Sequence, residues 1–312
     1  MNILLINPGR RDYLVRYFLD LKKYFKIKLY LIDCDKNIPA FQVSDKTFNF
    51  ICPPASSVKY FSNYLKEFLI KNKIDIVFPI SEHEMKTLTI TKNFYEQKGI
   101  KIVISSKHVI DICKNKIKTY YFLKNIGLNY PEIINFKNFK KKLPVILKEV
   151  EGSGSKNQIL ITNKNSNFSF KKKNFFLQKY LKSPEYGMDI LNDLNGNFLH
   201  CTVKKKILMR AGDTDRAIVI NPSKFIKIAK KISFNLRHIG NLDVDFLWHN
   251  QKPYILDLNP RFGGGYPFTH EYGYNYIKAL ILNFRRPQEK IKFKKFKNKN
   301  NFFSKGINIY KN

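Results

Sequence analysis

Two carboxylates and an amide lie close together late in the chain, spaced as ligands for a divalent cation. Asp257 and Asn259 are two residues apart in an apolar stretch, so a β-strand would place both side chains on one face. Asp245 lies in the preceding stretch, which would pair with the next as a hairpin. Such oxygen ligands suit Mg²⁺, which also binds nucleotide phosphates and water. Arg261 follows directly and can hold a phosphoryl group or a developing oxyanion.

A lysine followed by a turn rich in glycine and serine forms a second set. The apolar residues 143–147 predict a strand that ends at Lys148, and residues 152–155 read Gly-Ser-Gly-Ser. Glycine lets backbone N–H groups approach an anion closely, and serine adds hydroxyl donors. Because the lysine precedes the glycines, the segment is not a P-loop. It predicts either a loop that covers phosphates beside Lys148 or a plain hairpin turn.

A third set flanks the short connector Lys-Ser-Pro at residues 182–184. The apolar residues 176–181 predict a strand before it, and the residues after Glu185 predict another. Backbone groups at such a hinge can contact an adenine edge, and Glu185 can accept hydrogen bonds from ribose hydroxyls. Taken alone, Glu185 is better explained as a surface acid, so this interpretation depends on the other two sets.

The first 105 residues alternate between apolar runs and amphipathic stretches. The predicted strands cover 2–6, 27–32, 74–79 and 100–105, and the predicted helices cover 14–24 and 57–71. This alternation predicts an α/β fold, a parallel sheet with helices on both faces. Such sheets bind ligands at the carboxyl ends of their strands.

Charged residues follow those predicted strand ends. Arg10 and Arg11 come after the first strand, and Glu82 and Glu84 come after the third. The arginines can bind a substrate carboxylate and the glutamates an amine. Ordinary charges of loops and helix starts are the alternative explanation.

The pattern of predicted helices and strands changes near residue 106. We expect helices at 107–126, strands from 144 onwards, an exposed loop at 163–174, a helix at 222–239, two strands within 240–259 and a helix at 272–284. The tail from residue 285 to 312 holds ten basic residues and one acid, Glu289. It predicts either a basic arm or a terminal strand.

Composition excludes several classes of protein. The chain has 312 residues, of which 44% are hydrophobic, so most of it can bury a core. Four cysteines without CxxC spacing exclude a disulfide miniprotein and indicate reduced thiols, so we expect a cytoplasmic protein. No apolar run has the length of about 18 residues that predicts a membrane span. We therefore expect no membrane partner.

The net charge of +33 raises the alternative of a nucleic-acid-binding protein. Only nine of the 57 basic residues are Arg, the residue usually favoured for phosphate and base recognition. This imbalance favours a solvated lysine-rich surface over a nucleic-acid interface.

Together these motifs resemble the ATP-grasp superfamily. The most specific match is residues 257–267, Asp-Leu-Asn-Pro-Arg-Phe-Gly-Gly-Gly-Tyr-Pro, and residues 6–15 and 115–131 also match. The chain is most similar to the stand-alone carboxylate–amine ligases, which resemble one half of the carbamoyl-phosphate synthase large subunit and include the pyrrolysine-pathway ligase. The resemblance implies a Rossmann-like pre-ATP-grasp domain at 1–108, an ATP-grasp domain at 109–288 and a basic tail at 289–312. Within the ATP-grasp domain, the small nucleotide-covering lobe would lie in 109–181 and the metal-binding and catalytic lobe in 182–288.

The resemblance also implies a role for each matching residue. Lys116 and Lys148 would contact ATP phosphates, Gly152, Ser153, Gly154 and Ser155 would form a loop over them, Gln178, Tyr180 and Leu181 would frame the adenine, and Glu185 would bind the ribose. Asp245, Asp257 and Asn259 would hold Mg²⁺ or Mn²⁺, and Arg261 would stabilise the transferred phosphoryl group. Arg10, Arg11, Glu84, Lys204, Arg210 and Asp213 are candidates for the substrate side.

The implied activity is an ATP- and Mg²⁺-dependent ligase that joins a carboxylate to an amine through an acyl phosphate. An amino acid or a modified sugar is a candidate substrate, and a homodimer is left open. Asp257 stands where the family usually has Glu, Lys179 replaces a usual Glu, and Asn157 replaces a Gly. These departures keep an inactive homologue as an alternative, beside a carbamoyl-phosphate-type synthase.

Overall fold

Residues 2–102 form a parallel β-sheet flanked by helices. The computed structural model describes residues 1–152, 157–164, 174–210 and 212–310. The sheet has five strands in the order β3-β2-β1-β4-β5. Its strands are β1 Asn2–Ile6, β2 Lys28–Asp33, β3 Thr47–Ile51, β4 Ile76–Pro79 and β5 Lys101–Ile102, and its helices are α1 Asp12–Asp20, α2 Val58–Lys71 and α3 Met85–Glu96. The parallel sheet predicted from the sequence is confirmed.

Alternating side chains of β1 explain why both sheet faces are covered. Ile3 and Leu5 belong to one apolar cluster, whereas Leu4 and Ile6 belong to another, and all four are fully buried. A strand buried on both faces reads as a continuous apolar run. Strand β3 was not predicted, because it is an exposed edge strand whose sequence, Thr-Phe-Asn-Phe-Ile, is not such a run.

A small antiparallel sheet follows two helices. The helices are α4 Lys107–Lys114 and α5 Lys116–Asn125. The sheet contains β6 Ile133–Ile134, β7 Val145–Glu149, β8 Ile159–Ile161 and β9 Phe175–Lys179, in the order β6-β9-β7-β8. Its core is small, built from Val145, Leu147 and three other apolar side chains. Most of the loop expected at 163–174 lies outside the described residues.

A six-stranded antiparallel sheet holds the later motifs. Its strands are β10 Glu185–Asn192, β11 Phe198–Arg210, β12 Asp213–Ile220, β13 Asn241–His249, β14 Lys252–Asn259 and β15 Phe302–Ser304, in the order β14-β13-β10-β11-β12-β15. The helices of this part are α6 Ile226–Leu236, α7 Tyr266–Glu271 and α8 Tyr276–Arg285. Strands β13 and β14 form the predicted hairpin.

The last helices differ from the single helix expected at 272–284. A turn at residues 272–275 separates α7 from α8, and its Gly273 has a φ of +101°, a conformation that favours glycine. Helix α7 has only six residues, too few for a recognisable helical period. In the described part of the chain, no helix has both the length and the hydropathy needed to cross a membrane.

The basic tail is packed on the protein. Ile291, Phe293, Phe296 and Phe303 contact the apolar cluster that also contains α8 residues. Strand β15 pairs with β12, with Ala217 opposite Phe303. The described part of the tail is therefore an ordered segment that contains a short strand, and the alternative of a free basic arm is wrong there.

Candidate active site

A cavity of about 530 Å³ lies between the small sheet and the six-stranded sheet. Its walls include five residues predicted for the nucleotide, namely Lys148, Gln178, Tyr180, Leu181 and Glu185. Strands β7 and β9 supply the first two, and the connector after β9 supplies the next two. The structure therefore brings together residues that lie up to 37 positions apart in the sequence.

Two polar side chains in this cavity are almost completely buried. Lys148 is 4% exposed, and burial lowers its pKa while the nearby Asp257 raises it. Gln178 is 1% exposed and donates from Nε2 to the Tyr120 hydroxyl at 3.0 Å. The Gln178 Oε1 atom has no partner among the described residues. Because an unpaired buried acceptor costs about 1–3 kcal/mol, Oε1 is available to a ligand donor.

A second cavity of about 690 Å³ adjoins the first. Both are lined by Gln158, Glu185, Asp245 and Asp257, so they form one continuous space. The second cavity is also lined by nine other residues predicted for the site: Arg10, Arg11, Lys116, Gly152, Lys204, Arg210, Asp213, Asn259 and Arg261. Predicted nucleotide and substrate sides thus meet at the acidic residues of β13 and β14.

The three predicted metal ligands lie on neighbouring strands. Asp245 on β13 is directly opposite Asp257 on β14, and Asp243 is opposite Asn259. The register is unbroken from Asp243 to Asp245, and it shifts only after Asp245. Among the described residues, no group of three or more His, Cys, Asp or Glu side chains is arranged to hold a metal ion. The set is therefore two carboxylates and an amide, which fits a hard cation that takes its remaining ligands from phosphates and water.

Lysine ammonium groups lie against both of these carboxylates. Lys206 Nζ is 2.6 Å from Asp245 Oδ1 and 2.5 Å from Glu185 Oε1. Lys116 Nζ is 2.7 Å from Asp257 Oδ1 and donates to Gly152 O at 2.9 Å. Positive charge is thus favoured at the position where the sequence predicts a cation, which supports the fit of Mg²⁺ to these residues.

Arg261, which follows β14 of the six-stranded sheet, contacts the loop that follows β4 of the parallel sheet. Its Nη2 atom is 2.9 Å from Glu82 Oε1, and its Nε atom donates to the same oxygen at 3.2 Å. Asp243 lies on its other side, with Oδ2 at 3.8 Å from Nη1. Burial lowers the pKa of Arg261, but Glu82 and Asp243 outweigh this effect and raise it. Arg261 is therefore a fixed cation at the wall of the second cavity.

Asp243 has a strongly perturbed carboxyl group. Burial and the neighbouring Asp245 raise its pKa to about 7. A Cβ atom at Gly263 would overlap Asp243, and one at Gly264 would overlap Asp213. The glycines after Arg261 are therefore needed for close approach between this turn and the acidic side chains.

The residues predicted for the substrate side differ in how free they are. Arg10 is exposed, and its side chain has no partner among the described residues. Arg11 donates to Ile80 O. Lys204 is 2% exposed and forms a buried ion pair with Asp189. Arg210 lies 3.3 Å from Asp215. Of these cations, Arg10 is the one most available to a ligand.

The structure does not place Glu84 at either cavity. It is 0% exposed, and its carboxylate accepts from the backbone N–H groups of Ile80 and Ser81 and from the Ser81 and Asn7 side chains. These bonds close the loop after β4. The expectation that Glu84 contacts an amine substrate is therefore wrong for this conformation, because the backbone uses its acceptor capacity.

Part of the predicted set lies outside the described residues. Ser153, Gly154 and Ser155 are in that part, so their predicted role rests on the sequence alone.

Lys206, Asp243 and Lys305 are charged residues of the second cavity that are not among the site residues predicted from the sequence. The sequence does contain a signal for Lys206, because it is two residues after Lys204 on a strand. The two side chains therefore lie on the same face of the sheet. Glu82 was expected to bind an amine, whereas the structure pairs it with Arg261. Local spacing in the sequence predicts neither the contact of Glu82 with Arg261 nor the position of Lys305 in the second cavity.

Two family models match this chain. Residues 3–103 match the PylC-like N-terminal domain, and residues 113–265 match an ATP-grasp domain. A curated relative, an uncharacterized protein of Methanocaldococcus jannaschii, is 29% identical over 245 residues. That match covers 72% of this chain and 62% of the relative, so it spans less than two thirds of the relative's length.

Solved structures with the same fold include three ATP-grasp enzymes. The ADP complex of N5-carboxyaminoimidazole ribonucleotide synthetase has a TM-score of 0.70 at 18% identity, over 90% of this chain and 76% of that one. The biotin carboxylase domain of Hydrogenobacter thermophilus 2-oxoglutarate carboxylase, solved with Mg-ADP and bicarbonate, has a TM-score of 0.72 at 15% identity, over 94% and 71%. L-amino acid ligase from Bacillus licheniformis has a TM-score of 0.60 at 16% identity, over 91% and 74%.

The order of elements, the antiparallel sheets around a shared cavity and the two matched models agree with one another. The matched residues together cover most of the chain. The chain therefore belongs to the ATP-grasp superfamily and carries a PylC-like N-terminal domain ahead of its ATP-grasp domain.

Proposed function

We propose that this protein is an ATP- and Mg²⁺-dependent ligase that forms an amide from a carboxylate and an amine through an acyl phosphate. ATP with Mg²⁺ is the usual requirement of ATP-grasp enzymes. The observation that carries the proposal is the continuous space that joins the predicted nucleotide residues to Arg261 through Asp245 and Asp257. An amino acid or a modified sugar is the candidate substrate.

The nucleotide is proposed to lie in the first cavity. Gln178, Tyr180 and Leu181 would contact the adenine, and the unpaired Gln178 Oε1 would accept from a base N–H. Glu185 would bind the ribose once Lys206 shifts from it. Lys148 and Lys116 would contact the phosphates, together with the loop that begins at Gly152. An anion beside Lys148 would offset the effect of burial on its charged form.

The metal is proposed to lie between the two strands that carry Asp245, Asp257 and Asn259. When bound, Mg²⁺ would neutralise charge on the phosphates and orient the γ-phosphoryl group. Lys116 and Lys206, which contact the carboxylates in this conformation, would then move to the phosphates or to other acceptors. The exchange of one cation for another keeps the two carboxylates paired throughout.

The proposed reaction has two steps. A substrate carboxylate oxygen attacks the γ-phosphorus of ATP, the bond to the bridging oxygen breaks, and ADP leaves with an acyl phosphate remaining. The amine nitrogen then attacks the acyl carbon and loses a proton, and inorganic phosphate leaves. Arg261 would stabilise negative charge in both steps, and most of the rate enhancement would come from positioning and charge stabilisation.

We also propose the division of the chain given by the resemblance. The pre-ATP-grasp domain would cover 1–108 and the ATP-grasp domain 109–288, followed by the segment 289–312. The last strand of the parallel sheet ends at Ile102, and the second model begins at residue 113, so both support a boundary between them.

The test is Mg²⁺-dependent release of ADP from ATP in the presence of pooled amino acids and other carboxylates. We expect one pool to stimulate ADP release, and division of that pool to identify the substrate. Arg261→Ala should bind Mg-ATP but lower stimulated turnover by about 100-fold or more, the size expected when a charge-stabilising donor is removed.

The control is Arg285→Ala, which removes an arginine on α8 that lines neither cavity. It should keep wild-type turnover. Failure of the wild-type protein to bind Mg-ATP would contradict the proposed function. Full turnover in Arg261→Ala would contradict the role of that residue.

A further inference from the structure

Residues 289–310, which we call the strap, cross from the ATP-grasp domain to the N-terminal sheet. The strap lies outside both matched models, which cover 3–103 and 113–265. Its strand β15 pairs with β12, and the backbone N–H of Lys305 donates to Asp215 O at 2.9 Å. At its far end the Tyr310 hydroxyl donates to Asp12 Oδ2 on α1 at 2.6 Å. These two attachments hold the last part of the strap, residues 302–310.

Between these two attachments the strap forms a wall of the second cavity. The strap residues that line the cavity are Lys305, Gly306, Ile307, Asn308 and Tyr310. The same cavity is also lined by Arg10, Asp213 and Arg261. None of these strap residues lines the first cavity, where the adenine and the ribose are proposed to lie.

Lys305 is the charged residue that the strap contributes to this wall. Its Nζ atom donates to Gly264 O at 2.6 Å and to Asp213 Oδ2 at 3.1 Å. It also lies 5.4 Å from the centroid of the Phe268 ring. An ammonium group has three N–H donors, so one donor has no partner among the described residues.

The contacts of Lys305 hold its ammonium group in place but leave one N–H donor without a partner among the described residues. The side chain is 21% exposed, so the ammonium is reachable from the cavity. Burial lowers its pKa, and Asp213 raises it. An anion placed against the free donor would favour the charged form. The carbonyl of Gly264 connects Lys305 to the turn that carries Arg261, three residues earlier.

We propose that Lys305 is a specificity-determining residue that binds an anionic group of the substrate, a carboxylate or a phosphate, in the second cavity. The inference rests on the proposed function for the identity of the reaction, but the binding step can be measured without turnover. A fixed cation with a free donor favours substrates that present an anionic group to Lys305 while their reacting carboxylate lies in the same cavity. Uncharged analogues would leave the ammonium partly unpaired and would bind more weakly.

The test measures the unfolding temperature in the presence of two panels of anions, with and without Mg-ADP. One panel contains the standard amino acids and short dicarboxylates, and the other contains sugar phosphates. We expect members of one panel to stabilise the wild-type protein, which identifies the anionic group as carboxylate or phosphate. In Lys305→Met the apparent Kd of such an anion should rise about 10- to 100-fold, as expected when a hydrogen bond to a charged group is lost. Binding of Mg-ADP should not change.

The matched control is Lys295→Met, an exposed lysine of the strap that lines neither cavity. It should respond to anions as the wild type does, and Lys305→Arg should recover part of the response. Because Lys305→Met leaves Asp213 without its lysine, the double variant Lys305→Met/Asp213→Asn is also measured. A double variant that binds the anion normally would show that Lys305 only neutralises Asp213, which would overturn the proposal.

Two further results would also overturn it. One is an unchanged anion response in Lys305→Met, and the other is a wild-type protein that no member of either panel stabilises. Failure of the proposed function is distinguishable, because it would appear as the absence of any stabilisation by Mg-ADP itself. The anion panels without nucleotide still report on Lys305 in that case.

Discussion

At the scale of single residues, the site contains two lysines placed where a cation and phosphates are expected. Lys206 lies between Glu185 and Asp245, and Lys116 contacts Asp257. Without these ammonium groups, several carboxylates would be close together in a partly buried space, which is unfavourable. The lysines therefore stabilise the carboxylates of the site in this conformation.

This arrangement predicts that Lys206→Met is destabilised in the absence of ligands. We expect a loss of about 1–3 kcal/mol, since two carboxylates lose a charged hydrogen-bond partner. Addition of Mg²⁺ with ADP should recover most of the loss, because the metal supplies the missing positive charge. Urea unfolding with and without Mg-ADP measures both values. Lys205→Met, on the opposite strand face, is the control, and an equal loss in both variants would contradict the prediction.

Glu82 is predicted to position Arg261. Glu82→Gln keeps an acceptor oxygen but removes the charge that fixes the guanidinium at 2.9 Å. We expect kcat to fall about tenfold, the effect of roughly 1.4 kcal/mol on a barrier, with the KM for ATP unchanged. Glu82→Asp should recover less than full activity, because its carboxylate is one methylene shorter. A change confined to the KM for ATP would indicate a role in nucleotide binding instead.

At the scale of elements, the strap is held by apolar packing, by the pairing of β15 with β12 and by the ion pair of Lys305 with Asp213. Its apolar side chains contact the main core cluster, whereas Lys292, Lys295 and Lys299 are exposed. Removal of the strap would therefore expose core residues and open one wall of the second cavity.

We predict that a chain shortened after Arg286 unfolds at a lower temperature than the full chain. Each large apolar side chain of the strap that loses its contacts costs on the order of 1–3 kcal/mol. The charge control changes Lys292, Lys295 and Lys299 to Gln and keeps the apolar contacts. It should unfold like the wild type in thermal scans. A lower midpoint in the charge control alone would show that charge rather than packing holds the strap.

Elements with a strong local pattern were predicted from the sequence, and those defined by distant contacts were not. The apolar run of β1 and the paired acidic residues of β13 and β14 carry their own periodicity. By contrast, Glu82 and Arg261 are 179 residues apart, and Lys305 and Asp213 are 92 apart. No local spacing encodes such contacts. In the sequence, Glu84 resembles a free charge at the end of a strand. The sequence does not show that backbone N–H groups of the same loop donate hydrogen bonds to the Glu84 carboxylate.

At the scale of the whole molecule, three buried or half-buried histidines link stability to pH. Burial lowers the pKa of His200, His238 and His270 from 6.5 to about 4. The folded protein therefore binds fewer protons than the unfolded chain between these values. Their contribution to stability is complete above pH 6.5 and is lost as the pH falls towards 4.

His270→Phe is predicted to weaken this acid sensitivity. The ring of His270 stacks on Tyr17 with centroids 3.6 Å apart, and phenylalanine can keep that contact without titrating. Free energies of unfolding measured from pH 8 to pH 4 should show a slope reduced by about one proton in the acidic range. His83→Phe, a substitution of an exposed histidine, is the control. An unchanged slope in His270→Phe would contradict the prediction.

Because the strap extends from the end of the chain back to α1, the two cavities become complete at different times during synthesis. The last residue needed for the first cavity is Asp257, whereas the second cavity also needs Tyr310, which bonds to Asp12 across 298 positions. Domains generally fold as they emerge from the ribosome, beginning at the N-terminus. A growing chain can therefore form the first cavity before the second cavity is enclosed. Both cavities are complete only after the ribosome has synthesised the strap.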